Sequence, residues 1–216
     1  MSRRIQLANV SLNKLEMLWK HRSLVALEVR IKAYRALVES TLLYNCGTWA
    51  LTSLLADKLD RAQRKMIRRV VGVTWRDKIT NEALYTSCNL EAASVLVVKA
   101  RWKLLGHVLR MDEAVPARQA MAFYFDEKSH KGRSGNVCTL PSVLSEDFKT
   151  AFNKSMKTKS EYEAMVELAQ NKTRWDEVIQ RVKEKFCESR AEKTEKKRES
   201  RKNAEAKRQK EKERKN

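Results

Sequence analysis

Apolar residues recur along this chain at intervals of three and four, the period of helices buried on one side. Leu7, Leu15 and Leu18 begin the pattern, and Leu27, Ile31, Tyr34, Val38 and Leu42 continue it on one face of a second helix. A third helix is predicted after Thr52 or Ser53, with Leu55, Leu59, Ala62, Met66 and Val70 on one stripe that ends near Gly72. Thr80 opens a short fourth helix. Asn89 with Glu91 opens a longer fifth, in which Val95, Val98, Trp102, Leu105 and Leu109 recur at core spacing. Trp102, Leu105 and Leu109 are therefore expected to face the core, with Lys99, Lys103 and Arg110 reaching outward.

Residues 112–140 break the pattern with Pro116, Gly132, Gly135 and mixed polarity, and are expected to be an irregular connection. Within it, Ala120 to Phe125 fits either a short strand or a helical turn. Pro141 then suits a helix start, and Ser160 with Glu163 forms a capping box ahead of Tyr162, Met165 and Leu168. Thr173 starts the last amphipathic piece, lined by Trp175, Val178, Ile179, Val182 and Phe186. Residues 188–216 hold thirteen bases, seven acids and three alanines as their only apolar residues. Such a segment cannot bury a core and is expected to be disordered or a frayed helix. With five glycines and two prolines in the whole chain, turn chemistry for a many-stranded sheet is scarce. The expected fold is all-α: a helical bundle over 1–111, an irregular connector over 112–140, a helical connector region over 141–187 and a basic tail over 188–216.

Composition adds a partner. The 216 residues carry a formal charge of +19, and outside the tail thirty-three bases still face twenty acids. That excess points to a polyanion, nucleic acid before membrane. Cys46, Cys88, Cys138 and Cys187 lie more than forty residues apart, and His21, His107 and His130 are the only histidines. A zinc ribbon or knuckle is not expected, nor any other metal or cofactor, and the thiols read as ordinary reduced cysteines. No apolar run has the length of a membrane span, and the first residues lack a signal-peptide core, so a nuclear or cytoplasmic protein is expected.

The third helix carries the clearest chemistry. At 100° per residue, Lys58, Arg61, Arg64, Lys65, Arg68 and Arg69 fill a sector roughly opposite Leu59, Met66 and Val70. The competing reading is a solvated face balanced by Asp57 and Asp60, although the second half of the helix has no acid. The candidate phosphate contacts are Arg61, Arg64, Lys65, Arg68, Arg69, Lys99, Arg101, Lys103 and Arg110. His107 has no second ligand at helical spacing and is read as structural. Gly106 inside a helix costs about 1 kcal/mol against alanine, which a close approach of a neighbouring backbone would compensate. Trp19, Trp49, Trp75, Trp102 and Trp175 are read as core anchors before base-stacking platforms. No P-loop, nucleophile elbow, zinc-protease motif or Asp-Asp pair is present, so no catalytic residue is expected.

Several stretches, in order over residues 4–182, resemble the region after the palm in reverse transcriptases of non-LTR, LINE-type retrotransposons. They are "RIQLANVSLNKLEMLW", "AYRALVESTLLYNCGTWAL", "LDRAQRKMIRRVVGVTWRDKITNEALY" and "ARWKLLGHVLRM", with "GRSGNVCTLPSVLSEDFK" and "AQNKTRWDEVIQRV" matching more loosely. Asn45 and Gly47 depart from the family's common "LLYGCETW" pattern, which has glycine and glutamate there. The resemblance implies a helical thumb and connector that hold template and primer, RNA or an RNA/DNA duplex, while a palm upstream performs the chemistry. The alternative expectation, from a different class, is a helical scaffold or interaction bundle with a basic nuclear-address tail, or a decaying element copy.

Overall fold

Threonine hydroxyls at Thr52, Thr80, Thr139 and Thr158 each satisfy a free backbone N–H at the start of a helix. The computed structural model describes residues 1–125, 138–154 and 158–213, with the backbone alone for 201 and 205–213. The helices are α1 Ser2–Lys14, α2 Glu16–Lys20, α3 Leu27–Ala33, α4 Ser40–Leu42, α5 Ser53–Val71 and α6 Asn81–Cys88. They are followed by α7 Ala93–Leu109, α8 Pro116–Tyr124, α9 Leu140–Phe152, α10 Lys159–Gln170 and α11 Lys172–Glu213. No strand occurs among the described residues, so the fold is all-α.

Thr52 and Thr80 cap α5 and α6 through their hydroxyls, as their sequence positions predict. Gly72, at φ 88°, closes α5 in the left-handed region. Two other caps differ from expectation. Asn89, at φ 49°, ends α6 and does not open α7. The capping box of α10 pairs Thr158 with Glu161, two residues before the predicted pair, because Thr158 takes the extended conformation an N-cap needs. Residues 116–124, expected inside an irregular connector, form α8, with Pro116 opening it. Gly132 and Gly135 lie outside the described residues.

The second predicted helix is continuous from α3 to α4 through a π-helical segment, Tyr34–Glu39. The Ser40 and Thr41 hydroxyls bond back to the carbonyls of Ala36 and Leu37 at 2.5 and 2.7 Å, competing with the regular backbone ladder. Ile31, Tyr34, Val38 and Leu42 nevertheless stay buried on one face.

Two hydrophobic clusters share α7. Its start, with Ala93 and Val97, packs into the first cluster with α1–α6; from Val98 onward, Trp102, Leu105 and Leu109 belong to the second, with α9, α10 and the first third of α11. Packing thus divides inside α7, and the helix itself ends at Leu109, ahead of a non-helical stretch that leads into α8. The tail, expected to be disordered or frayed, continues α11 as one helix to Glu213.

Candidate nucleic-acid interface

The basic sector of α5 is built by what the rest of that helix buries. Ala56, Leu59, Met66, Ile67 and Val70 fill the core face, joined by the polar Asp60 and Gln63. Leu55, placed on the stripe by spacing, is exposed instead, because the core face is rotated toward Ala56, Gln63 and Ile67. Lys58, Arg61, Lys65 and Arg69 lie on the exposed side, with Arg64 and Arg68 half-buried at its edges.

Asp57 and Asp60 do not neutralise this face. Arg190 of α11 reaches both, at 2.8 Å from Asp57 and 2.9 Å from Asp60, and Lys197 adds a longer contact to Asp57 at 3.8 Å. Asp60 also accepts the backbone N–H and hydroxyl of Ser94, both at 2.8 Å, at the start of α7. Gln63 is fully buried and uses every polar site: it donates to Glu39 and the Glu91 carbonyl, and accepts from Tyr85 and the Ala93 N–H. Ala92, the residue before α7, makes no side-chain cap, so Asp60 and Gln63 cap that helix from a neighbouring one. Chain periodicity does not show this pairing, since the partners lie thirty or more residues apart.

The nine predicted phosphate contacts fall into three groups. Arg61, Lys65 and Lys103 are exposed and have no hydrogen bond or ion pair among the described residues. Five are engaged at the surface. Arg64 lies beside Tyr85, whose phenol burial and the charge of Asp60 push up to about 12 against the pull of that guanidinium. Arg68 bonds Asn81 at 2.9 Å, and Arg69 bonds Asn13 at 2.6 Å and Glu16 at 3.3 Å. Lys99, expected to reach outward, pairs with Glu91 at 3.0 Å, and Arg110 donates to the Ala169 carbonyl at 3.0 Å. Burial pushes the Glu91 carboxyl up, but bonds from Lys183 and Lys99 outweigh it and leave it below the ordinary value.

Arg101 is the correction. It is 3% exposed and holds Asp147 of α9 through two bonds of 2.6 Å, so no phosphate can reach it. Helical spacing turns residue 101 toward α9, where the buried carboxylate offsets the cost of burying the guanidinium. Trp102 beside it is fully buried as expected and donates its indole N–H to the same carboxylate at 3.0 Å. Burial raises the Asp147 carboxyl, while Arg101 and the Trp102 N–H pull it back.

Gly106 accommodates a side chain and not a backbone: an added Cβ would sit 2.6 Å from Cδ1 of Trp175. His107 is exposed. Among the tryptophans, Trp19, Trp102 and Trp175 are core residues, but Trp75 is 84% exposed, against the reading of it as a core anchor. Trp75 sits past the end of α5, in a tight turn closed by Thr74 and Asp77, outside both hydrophobic clusters. Hydrogen bonds from the Thr74 backbone and hydroxyl hold the Asp77 carboxyl below its ordinary range.

Among the described residues, no three His, Cys, Asp or Glu side chains gather as a metal site requires, and no helix is long and apolar enough to cross a membrane. A cleft of about 710 Å³ between α5, α7, α9 and α11 is lined by Asp57, Arg101, Asp147 and Arg190, whose charges are paired with one another. Compared with known proteins, the chain matches no family model, no curated sequence and no solved structure.

Proposed function

We propose that this chain is a non-catalytic, retroelement-derived helical protein that holds RNA or an RNA/DNA duplex by its backbone phosphates. The observation that carries this reading is the placement of the two acids of α5. Asp57 and Asp60 both pair with Arg190, and Arg61 and Lys65 stay exposed with no ion pair among the described residues. An uncompensated basic row of this kind attracts a phosphate backbone without regard to base sequence. Position 45 supports the LINE-type resemblance: Asn45 stands at φ 54°, a conformation that the family's usual glycine adopts freely and asparagine tolerates.

The test is salt dependence. Each neutralised phosphate contributes about 0.7 to the slope of log K against log salt on single strands and about 0.9 on B-form duplex. Arg61→Ala with Lys65→Ala should lower that slope by about two contacts and leave the fold intact, because neither side chain holds another residue. Truncation after Arg198 keeps Arg190 and Lys197 on Asp57 while removing the distal tail. If truncation abolishes binding and the double substitution leaves the slope unchanged, the α5 face is not the site.

A further inference from the structure

We propose that Trp75 is a stacking platform for an unpaired base, so that the basic face of α5 takes single-stranded nucleic acid in preference to a fully paired duplex. The inference rests on the phosphate-binding reading of that face and adds what the face selects.

Three observations meet at this turn. The first is exposure: Trp75 is 84% accessible, whereas Trp19, Trp102 and Trp175 are each at most 2% accessible. The second is rigidity. The Asp77 carboxylate accepts the Thr74 N–H at 2.6 Å and its hydroxyl at 2.9 Å, closing the turn on itself. Arg22 donates to the Gly72 carbonyl at 2.7 Å on one side of the turn, and Arg68 bonds Asn81 at 2.9 Å on the other. The backbone that carries the indole is therefore braced, so the turn need not be ordered on binding. The third is charge. Residues 64–78 contain six bases and one acid, and that acid, Asp77, is the one already engaged in the turn. The Arg76 guanidinium lies 5.6 Å from the Trp75 ring centroid.

An exposed ring among uncompensated bases matches a flexible phosphate chain whose bases are free to stack, because every base has a π-face. In a duplex those faces are covered by their neighbours, and the ring gains nothing. An acidic protein partner would satisfy the charge, but it does not carry a stacking face at every residue as a nucleic-acid strand does.

The experiment compares the full chain with Trp75→Ala and Trp75→Phe on a short oligouridylate, a short oligothymidylate and a blunt RNA/DNA hybrid. Trp75→Ala should weaken binding to both single strands by about five-fold to a hundred-fold and change hybrid binding by less than about two-fold. Trp75→Phe should recover most of the loss, and the thermal unfolding of all three proteins should coincide. Bound single strand should quench tryptophan fluorescence in the parent and not in Trp75→Phe, and a larger effect on one strand type identifies RNA or DNA as the preferred source of the base. Single-strand affinity unchanged in Trp75→Ala overturns the stacking role while leaving the α5 phosphate face standing. Failure of the parent chain to bind any of the three probes removes the phosphate face, and this proposal with it.

Discussion

Alanine at Gly106 would stabilise an open helix by about 1 kcal/mol, and here it should do the opposite. The new methyl group would lie 2.6 Å from Cδ1 and 2.7 Å from Cε2 of the Trp175 indole. That ring cannot swing aside cheaply. It is 2% exposed, packs at 5.8 Å between centroids against Trp102, and donates its N–H to the Trp102 carbonyl at 3.0 Å. Overpacking a filled core costs about 1–3 kcal/mol. Leaving the indole N–H without its acceptor costs about 1–3 kcal/mol more. Set against the propensity gain of about 1 kcal/mol, Gly106→Ala should lose about 1–5 kcal/mol net. Urea unfolding followed by circular dichroism measures this as a lower midpoint at unchanged slope. Combining Gly106→Ala with Trp175→Ala, which removes the clashing ring, should cost at least about 1 kcal/mol less than the sum of the two single changes. A Gly106→Ala protein as stable as the parent, or more stable, would refute the claim that the indole occupies that space.

Removing either member of the Arg101–Asp147 pair should cost about 3–5 kcal/mol, because the other charge stays buried, while replacing both by apolar residues should cost clearly less; equal losses in singles and double would contradict this. Glu91, held below its ordinary 4.5, releases its proton more readily folded than unfolded, so its contribution is present above that value and disappears as pH falls through the folded one. The stability gap between parent and Glu91→Gln should therefore be constant near neutrality and close in acid, and thermal melts that show the gap widening in acid would reverse the assigned sign. Asn45→Ala should lose about 1 kcal/mol through its left-handed backbone while Asn45→Gly stays close to the parent, as chemical denaturation of the pair would show.

The helices themselves were legible because their causes are local. An apolar residue every third or fourth position can be buried only on one face of a helix, and Thr52, Thr80 and Gly72 act on backbone groups within a few residues of themselves. The burial of Trp102, Leu105 and Leu109 followed from the same spacing. Charge was legible as composition, and so was the basic sector of α5. Which bases remain available was not. Arg101 and Lys103 are equally basic and two residues apart, yet one is locked to a carboxylate forty-six positions away and the other is exposed. Trp75 and Trp102 are the same residue type, and only the packing around each leaves one ring uncovered. Asp57 and Asp60 read as counterions of the basic face until Arg190 arrives from the far end of the chain. Local backbone and side-chain energetics determined the elements, whereas the pairing of charges between elements depends on distances that exist only once the helices have packed.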